Sequence, residues 1–452
     1  MAGIRPLRHA LALFGWRVRG FRLGRLYKEL MEREYWTDQQ WREYQTDLLR
    51  RFVRHCYENV PVYRTRFDQC SLSPQDIRSL DDLVKIPPLS KDDVRKWQEQ
   101  MLATNYPRTS MYPVHTTGST GAPLTFFGHR QRSEHIVAGL WRIYSRCGWQ
   151  PGEKVASIWG FNAAANARAS WKRWLRDSVS GTLHFNAFDA NDREFEEWLR
   201  VLKKNKPSVL VCYASSGSRF ARWLLDRQET LPCIKGVYTT SEKLFEQQAR
   251  LLEQAFECKV FDLYGCGEAI HIACTCEQGS MHINPDMVVV ENGEPNEQGT
   301  RPLIITGLRN WAMPFLRYVN GDCGLLVQGA CDCGRQSPLM DLQIARVADV
   351  FRFPDGKEYP SLYFILRLYA KGFDGVELFQ FHQDQPDHIR LLIVKNSRFT
   401  DQTHSKLGGV KEEIEAHIDH QARVDVEYVD GIEQTSSGKH LYARSQVAPQ
   451  PE

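Results

Sequence analysis

The chain has 452 residues, of which 42% are hydrophobic and 25% are charged. Its formal net charge is +3, a near balance that gives no reason to expect a nucleic-acid partner. A chain of this length exceeds the size of one hydrophobic core, so we expect two or more domains. It contains no apolar run near the ~20 residues that span a membrane.

The N-terminal segment departs from this balanced charge. Residues 1–28 contain no acidic residue and seven basic ones, Arg5, Arg8, Arg17, Arg19, Arg22, Arg25 and Lys28. Two interpretations fit: residues 5–28 lie on an anionic membrane surface, or they form a solvated basic helix packed on the protein body. The segment lacks the long apolar core and cleavage site of a signal peptide. Twelve cysteines are too few for a disulfide scaffold, so we expect a cytoplasmic protein, with contact to the inner membrane surface left open.

The predicted secondary structure changes along the chain. Residues 1–100 are charged and form a helical lead-in, in which DLLRRFVRHCYEN (47–59) has an apolar face at helical spacing. From residue 155 short β-type runs alternate with helix-type stretches, which predicts a mostly parallel sheet flanked by helices. The β-type runs are 155–159, 182–188, 208–214, 234–240 and 259–265. The helix-type stretches are 167–179, 192–206, 216–229 and 241–256.

The pattern changes again after residue 286. Residues 287–308 resemble a β-hairpin with Asn292–Gly293 as the turn signal. Beyond 346 a smaller unit follows, with a hairpin at 376–394, a helix at 404–418 and a strand at 422–429. We therefore predict an α/β protein with a large N-terminal domain, 1–345, and a small mobile α+β domain, 346–452.

A loop rich in small polar residues is the first candidate site. HTTGSTGAPLTF (115–126) places Gly118 and Gly121 among hydroxyl side chains. Glycines allow successive N–H groups to turn toward one point, and such a nest suits a phosphate. The spacing is not that of the common P-loop, which is GxxxxGK[ST]. A simple turn between two strands explains the segment equally well when it is taken alone.

Three further loops contain candidate functional residues. DLYGCGEA (262–269) ends a predicted parallel strand, where Tyr264 can stack on a flat base and Glu268 can hold a divalent ion. LRYVNGD (316–322) places Asp322 where a carboxylate can accept hydrogen bonds from sugar hydroxyls. TSSGKHL (435–441) carries Lys439 on a Ser/Gly loop. Each motif is weak alone, but their order and spacing together are specific.

Taken together, these motifs resemble the adenylate-forming acyl/aryl ligase superfamily, most closely its phenylacetate–CoA ligase-like branch, which includes capsule-biosynthesis homologues. TTGSTGAPLTF is similar to the phosphate loop of that branch, YGCGEA to its adenine and magnesium motif, RYVNGD to its ribose motif and GKHL to its C-terminal lysine motif. The resemblance implies that a carboxylate attacks the α-phosphate of ATP, and that a thiol, normally that of CoA, then displaces AMP.

The resemblance also assigns roles to residues. It implies Lys439, Glu268 and Thr117 as catalytic residues, with Glu268 binding Mg²⁺ and Lys439 bridging the carboxylate and the α-phosphate. The implied nucleotide-binding residues are Thr116, Thr117, Gly118, Ser119, Thr120 and Gly121 for the β- and γ-phosphates, Tyr264 near adenine, Asp322 and Arg346 for ribose, and Ser241, Glu242 and Gly265 elsewhere in the site.

Two departures from the family pattern bear on the mechanism. Ala122 stands where many relatives carry lysine, so the phosphate loop must rely on amides and hydroxyls. The hinge motif, usually GRxDD, reads ARVAD, with Ala348 at the expected hinge acid. The second departure puts the domain rotation for the thioester step in doubt and leaves adenylation intact.

A separate set of residues has the chemistry of a metal site. Cys276, His282, Cys331 and Cys333 form one imidazole and three thiolates, a natural tetrahedral zinc set that leaves no open position for catalysis. Relatives in this branch often carry Cys and His there, so a structural zinc is expected. The alternatives are free buried thiols, or Cys274 as the ligand if His282 faces the substrate pocket.

Three function classes follow. The leading one is an ATP-dependent ligase of an aryl or otherwise hydrophobic acid, using ATP, Mg²⁺ and CoA. A second keeps adenylation but passes the acyl group to an amine, a hydroxyl or a carrier-protein thiol. A third is a catalytically silent scaffold of the same fold. Partners are the small carboxylic acid, the acceptor and, as an open expectation, a second copy of the chain in a homodimer.

Overall fold

The computed structural model describes residues 22–116, 124–160, 181–187, 191–295, 300–344, 350–371, 375–435 and 439–447. The chain divides into two compact units, Met1–Gln343 and Ile344–Glu452, close to the boundary placed at residue 345. The assignment of the first unit as an adenylation domain and of the second as a lid remains a prediction.

The described helices are α1 (Leu23–Glu32), α2 (Asp38–Asn59), α3 (Pro61–Gln69), α4 (Lys91–Lys96), α5 (Arg130–Ser145), α6 (Asp192–Asn205), α7 (Ala214–Asp226), α8 (Glu246–Phe256), α9 (Ser361–Lys371) and α10 (Asp401–His417). The first unit contains strands β1 (Met111–His115), β2 (Thr125–His129), β3 (Val155–Trp159), β4 (Thr182–Asn186), β5 (Val209–Cys212), β6 (Gly236–Thr240), β7 (Lys259–Tyr264), β8 (Ala273–Thr275), β9 (Met281–Ile283), β10 (Val288–Asn292), β11 (Pro302–Gly307), β12 (Phe315–Val327) and β13 (Leu339–Ile344). The strands that follow are β14 (Val350–Arg352), β15 (Glu358–Pro360), β16 (Val376–Gln385), β17 (His388–Lys395), β18 (Arg423–Tyr428) and β19 (Ala443–Ser445).

The predicted parallel sheet is confirmed. Neighbouring strands in the large sheet follow the order β10-β11-β12-β13-β9-β8-β7-β6-β5-β3-β4. The strands from β4 to β7 pair in parallel, and the alternating runs predicted them to within two residues at each end. Helices α6, α7 and α8 pack their apolar faces on this part of the sheet. The helix predicted over 167–179 lies outside the described residues.

The start of α8 differs from the prediction. The helical pattern begins at Ser241, but the helix begins at Glu246. Ser241 has a φ of +69°, which a helix cannot accommodate. The carboxylate of Glu242 accepts hydrogen bonds from the backbone N–H and the hydroxyl of Ser215 at the start of α7. Residues 241–245 are therefore a loop at the carboxyl end of β6.

The antiparallel half of the sheet contains the predicted hairpin with a different turn. Strands β10 and β11 are antiparallel, as expected. Asn292, however, is the last residue of β10, and Gly293 donates to the carbonyl of Pro302. The prediction of a turn at Asn292–Gly293 is therefore wrong. The side chain of Asn292 instead bonds Gly324 and Leu326 of β12.

The helical lead-in supports strand β12. Thr37 and Gln40 form a reciprocal capping box at the start of α2. Apolar residues of α2 and α3 share one buried cluster with Phe315 and Tyr318 of β12. Leu89 then donates to the carbonyl of Arg317 at 2.8 Å and accepts from Val319 at 2.9 Å. The N-terminal hundred residues thus hold β12 from one side.

Helix α1 lies on the protein body. Leu23 and Leu30 are buried, and the ring of Tyr27 packs edge-to-face against Trp141 of α5 at 5.9 Å. Among the basic residues, Arg25 pairs with Glu29. This part of the basic segment therefore agrees with the packed-helix interpretation. Arg5, Arg8, Arg17 and Arg19 lie outside the described residues, and among the described helices none is long and apolar enough to cross a membrane.

The second unit is an α+β fold. Its four-stranded sheet has the order β18-β17-β16-β19, built on the predicted β16–β17 hairpin. Strands β17 and β18 pair in parallel, and α10 spans most of the predicted helix. Phe379, Phe381, Leu391 and Ile393 are buried on this sheet.

Candidate functional site

Tyr264 ends strand β7 and is joined to the predicted ribose-binding carboxylate. Its hydroxyl donates to Oδ2 of Asp322 at 2.7 Å. The side-chain amide of Asn320 donates to the same Oδ2 at 2.7 Å and to the Tyr264 hydroxyl oxygen at 2.8 Å. Burial, followed by the charge of Asp322, holds the pKa of Tyr264 well above its usual value. The phenol therefore stays protonated and remains a donor.

Glu268 is bonded by a second tyrosine. Glu268 is 8% exposed, and its Oε1 accepts from the Tyr318 hydroxyl at 3.0 Å. The Tyr318 ring is buried and packs edge-to-face against Phe315 at 5.2 Å. Burial and the neighbouring Glu268 charge raise the pKa of Tyr318, so this hydroxyl also stays protonated. The bond fixes one carboxylate oxygen of Glu268 and thereby its orientation.

Strand β12 supplies three of these groups at intervals of two residues. Tyr318 bonds Glu268, whereas Asn320 and Asp322 both bond Tyr264. Gly321, between Asn320 and Asp322, has a φ of +89°. Nothing lies within 4 Å of a Cβ placed at Gly321, so the backbone conformation rather than space favours glycine there. The sequence motif identified Asp322 and missed Tyr318 and Asn320. Their spacing in RYVNGD was the available signal, since alternate strand residues share a face.

The predicted phosphate loop joins β1 to β2. These strands form an antiparallel hairpin. At its end Thr116 donates to the carbonyl of Leu124 at 2.9 Å, and the Leu124 N–H donates to Oγ1 of Thr116 at 2.9 Å. A Cβ placed at Gly267 would lie 3.1 Å from Cγ2 of Thr116. The start of this loop is therefore next to the residue preceding Glu268. The remaining predicted members, Thr117, Gly118, Ser119, Thr120 and Gly121, lie outside the described residues.

Ser241, Glu242 and Gly265 follow β6 and β7 at the carboxyl ends of adjacent parallel strands. This is the edge at which open α/β sheets bind ligands. The positive φ of Ser241 is the kind of strained backbone that tends to occur at binding sites.

Lys439 belongs to the second unit. The loop that carries it is closed at its base, because Thr435 N–H donates to the Lys439 carbonyl at 3.0 Å and Lys439 N–H donates to Oγ1 of Thr435 at 3.1 Å. The adjacent His440 is buried and bonds the carbonyl of Phe379 at 2.7 Å. The backbone around Lys439 is therefore anchored to its own sheet. Arg346 and Ala348 lie outside the described residues.

The four predicted metal ligands lie together in the first unit. The ligand atoms of Cys276, His282, Cys331 and Cys333 are all within 4.8 Å of one another. Cys276 and His282 flank the turn between β8 and β9, and Cys331 and Cys333 lie in the connection from β12 to β13. The cluster therefore ties the hairpin that follows the Glu268 loop to the strand that carries Asp322.

The spacing of these atoms fits a tetrahedral zinc ion. The sulfurs of Cys276 and Cys331 are 3.6 Å apart, and the Cys333 sulfur is 3.3 Å from Nε2 of His282. Ideal zinc coordination, with Zn–S distances of about 2.3 Å, gives separations of about 3.8 and 3.5 Å for these pairs. The other ring nitrogen of His282 faces the Ser337 hydroxyl at 3.1 Å, the kind of outer contact that orients a histidine ligand. Among the described residues Cys274 is not a member of the group.

A buried ionic network adjoins the Cys/His cluster, and no motif in the sequence predicted it. Arg335, two residues after Cys333, donates to Glu34 at 2.6 Å and also pairs with Glu277. Arg142 of α5 and Arg146, the residue that follows α5, lie 3.5 and 3.4 Å from the same Glu34 carboxylate. Although burial alone would raise it, these arginines lower the pKa of Glu34. Glu34 therefore links the segment after α1 to the connection that carries Cys331 and Cys333.

The chain is similar to several known proteins. Residues 361–445 match the family model of the CapK C-terminal domain. The phenylacetate–coenzyme A ligase of Thermus thermophilus is 27% identical over 334 residues, which cover 71% of this chain and 73% of that protein. Protein CapK of Staphylococcus aureus is 24% identical over 281 residues, 62% of each chain.

A solved structure shares the fold over nearly the whole length. It is a 2-hydroxyisobutyryl-CoA ligase in the postadenylation state, in complex with an acyl-AMP, with a TM-score of 0.73 and 17% identity. The match covers 92% of this chain and 91% of that one. The resemblance predicted from the loop motifs and the predicted fold class are thereby confirmed. The chain is a relative of the phenylacetate–CoA ligases and of CapK, an enzyme of the ligase class with the fold of the adenylate-forming ligases.

Proposed function

We propose that the protein activates a carboxylic acid with ATP as an acyl-adenylate and then passes the acyl group to the thiol of CoA. The observation that carries this proposal is the convergence of Tyr264, Glu268 and Asp322 beside Thr116 at one edge of the sheet. In the first step a carboxylate oxygen bonds to the α-phosphorus of ATP, and pyrophosphate leaves. In the second step the thiol bonds to the acyl carbon, AMP leaves and the thiol proton goes to solvent.

In this proposal Asp322 binds the ribose hydroxyls and Tyr264 lies against adenine. The hydrogen bonds from Tyr264 and Asn320 fall on Oδ2 of Asp322, so they hold the carboxylate in one orientation. A pre-oriented acceptor loses little conformational entropy when the nucleotide binds. Ser241, Glu242 and Gly265 complete the nucleotide-binding edge.

Glu268 is the proposed magnesium ligand. Carboxylate oxygen is the donor that Mg²⁺ prefers, usually with phosphate oxygens and water as the other ligands. Tyr318 bonds Oε1 of Glu268 and so fixes the direction in which the carboxylate presents its remaining lone pairs. The bound ion would neutralise charge on the phosphates. Hydroxyls and amides of Thr116, Thr117, Gly118, Ser119, Thr120 and Gly121 are proposed to hold the β- and γ-phosphates, and Thr117 to act in catalysis.

Lys439 is the proposed catalytic cation of the adenylation step. Its ammonium would lie between the attacking carboxylate and the α-phosphate, where negative charge accumulates in the transition state. The closed Thr435–Lys439 loop defines the lysine position within its own unit. Arg346 is the proposed second ribose contact.

A hydrophobic acid, aryl in the first instance, is the proposed substrate. Trp159 ends β3 and Tyr213 follows β5 at the carboxyl edge, and their rings pack 4.6 Å apart. The Tyr213 hydroxyl faces the backbone N–H of Gly160 at 3.5 Å. A paired aromatic wall with few charges favours an apolar ligand.

The acceptor has a second candidate. Ala348 at the hinge position favours an enzyme that adenylates the acid and transfers it to an amine, a hydroxyl or a carrier-protein thiol in place of CoA. The structure of this segment lies outside the described residues. This alternative is therefore supported by the alanine at position 348.

The metal cluster is proposed to hold one structural zinc. Three thiolates and one imidazole fill a tetrahedral shell and leave no position for substrate. Zinc there would fix the hairpin β8–β9 to the β12–β13 connection and so hold the two strands that carry the nucleotide-binding residues. We further propose a reducing, cytoplasmic setting for these free thiols, with a homodimer and contact of residues 5–28 with a membrane surface as open proposals.

Pyrophosphate release with a panel of carboxylic acids, measured with and without CoA, tests the proposal. Release that depends on the acid, with AMP and thioester formed only when CoA is present, is the expected result. Acid-dependent release without thioester would favour the other acceptors. Absence of release with every acid would favour a silent scaffold.

A further inference from the structure

Arg132 of helix α5 is a buried arginine at the edge of the candidate site. The residue is 5% exposed. Its guanidinium donates one hydrogen bond, to the carbonyl of Gly267 at 2.6 Å, and lies 5.2 Å from the ring centre of Phe126. Gly267 immediately precedes Glu268, so this guanidinium is fixed beside the proposed magnesium ligand.

The charge of Arg132 is not neutralised by the part of the chain that the structure describes. No carboxylate among those residues lies within ion-pair distance of it, and its Nε is buried without a hydrogen-bond partner. Buried Arg142 is paired with Asp286 and Glu34, and buried Arg317 with Glu291. Buried Arg66 also has no carboxylate partner among the described residues, but it donates two hydrogen bonds to backbone carbonyls, at 2.8 and 2.7 Å, and lies far from the candidate site in the sequence. A buried cation without a counter-charge is costly. A bound anion would supply the missing charge and accept the remaining N–H donors.

The surroundings of Arg132 indicate which anion this is. Gly267 contacts Thr116 at the start of the proposed phosphate loop, so Arg132, Thr116 and Glu268 surround one region. The stretch HTTGSTGAPLTF itself contains no lysine or arginine. A polyphosphate bound there with Mg²⁺ carries several negative charges, and arginine is well suited to phosphate oxygens because its donors form a planar fork.

We propose that Arg132 is the fixed cation of the phosphate site and binds the phosphates that leave as pyrophosphate. This inference rests on the proposed function and adds a residue to it. Arg132 would contact the β- or γ-phosphate, whereas AMP, which lacks both, would not reach it. A purely structural arginine, which only holds the Gly267 carbonyl, would affect both nucleotides alike.

The test compares two arginines of one helix in the full chain. Arg132→Gln keeps an amide donor for the Gly267 carbonyl and removes the charge. Arg130→Gln is the matched control, because Arg130 is exposed and paired with Glu134. Binding of Mg²⁺–ATP, Mg²⁺–pyrophosphate and AMP is measured by calorimetry, together with the thermal midpoint of the ligand-free protein.

We expect Arg132→Gln to weaken ATP and pyrophosphate binding by about 10-fold or more, the loss typical of a charge-assisted contact, and to change AMP binding by less than about 2-fold. The ligand-free midpoint should fall little, since an unpaired buried charge has been removed. Arg130→Gln should leave all three affinities unchanged. If Arg132→Gln does not fold, Arg132→Lys should weaken pyrophosphate binding selectively, because it keeps the charge and loses the planar fork.

Equal loss of AMP and pyrophosphate affinity, or unchanged pyrophosphate affinity, in Arg132→Gln would overturn the inference. The proposed function fails separately. If the unmodified protein releases no pyrophosphate with any acid but binds it through Arg132, the anion site stands and the adenylation activity does not. If the unmodified protein adenylates acids and Arg132→Gln binds pyrophosphate normally, only the anion site fails.

Discussion

The candidate metal cluster and the proposed nucleotide site occupy the same large sheet but are assembled differently. The four candidate metal ligands come from the β8–β9 hairpin and the β12–β13 connection of one unit, and their ligand atoms lie within 4.8 Å of one another. Tyr264, Glu268 and Asp322, which we propose for the nucleotide site, belong to the first unit, whereas Lys439, the proposed catalytic cation, belongs to the second. The difference teaches that a site with a structural role can be formed by neighbouring segments of one unit. A site that must exclude water and release products can distribute its groups over two units.

The largest effect is expected at Lys439, the proposed catalytic cation, which belongs to the second unit. Lys439→Ala should slow adenylation by about 100-fold or more, since a positioned cation acts mainly in the transition state, while ATP affinity changes little. A pre-formed acyl-AMP should still be consumed. Separate assays of pyrophosphate release and acyl-AMP consumption measure the two steps. Lys406→Ala, an exposed lysine of α10, is the control, and equal loss in both steps would contradict the role given to Lys439.

The next largest effect is expected on stability, when the proposed zinc is removed. Cys331→Ser should lose the zinc and lower the free energy of unfolding by about 4 kcal/mol or more, because metal binding contributes directly to folding. Elemental analysis and denaturant unfolding measure both effects. Cys274→Ser, at the neighbouring buried cysteine, and Cys70→Ser, at an exposed one, should each retain about one zinc per chain. Freshly purified reduced protein without zinc would refute the metal assignment.

The ionic network beside the cluster should give an acid-sensitive contribution to stability. The folded pKa of Glu34 lies below its ordinary value of 4.5, so its stabilisation is present above pH 4.5 and is lost as the pH falls through the folded value. Glu34→Gln should cost about 3 kcal/mol at pH 7, since three buried arginines lose their shared partner. The cost should shrink as the pH falls below 4.5. Chemical unfolding as a function of pH checks this, with Glu32→Gln, at an exposed carboxylate of α1, as control. A cost independent of pH across this range would contradict it.

The smallest effects distinguish the two tyrosines of the crevice. Tyr318→Phe removes the hydrogen bond to Glu268 and should raise the Mg²⁺ concentration needed for half-maximal adenylation by about 10-fold. Tyr264→Phe removes the bond to Asp322 and should weaken binding of ATP and of AMP by a similar factor at saturating Mg²⁺. Titrations of Mg²⁺ and of each nucleotide measure these shifts. Identical Mg²⁺ and nucleotide titration curves for the two variants would contradict the separate roles given to Tyr318 and Tyr264.

Local patterns predicted much of the fold. Strand β5 is a continuous apolar run that is buried along its whole length, and β3 is largely apolar, so burial on both faces made them recognisable. The Asn292–Gly293 turn was wrong because the Asn292 side chain bonds strand β12, a contact that no short-range pattern contains. The loop motifs similarly indicated Tyr264, Glu268 and Asp322, which the structure brings together.

Long-range partners could not be predicted from the sequence. Glu34 and Arg335 are 301 positions apart, and Arg132 and Gly267 are 135 apart. Their pairing depends on how α1 and α5 pack against the sheet, and neither Glu34 nor Arg132 belongs to a motif identified from the sequence. Charged residues on helices usually face solvent, so their burial could not be inferred from residue type.

The most direct test of the central claim is exchange of labelled pyrophosphate into ATP in the presence of a hydrophobic carboxylic acid and without CoA. This exchange requires reversible formation of a bound acyl-adenylate and no acceptor. The account predicts exchange that depends on the acid and on Mg²⁺ and is lost in Asp322→Ala, a change in the nucleotide site. No exchange with any acid of an aryl and alkyl panel, by protein that is folded and binds ATP, would contradict it.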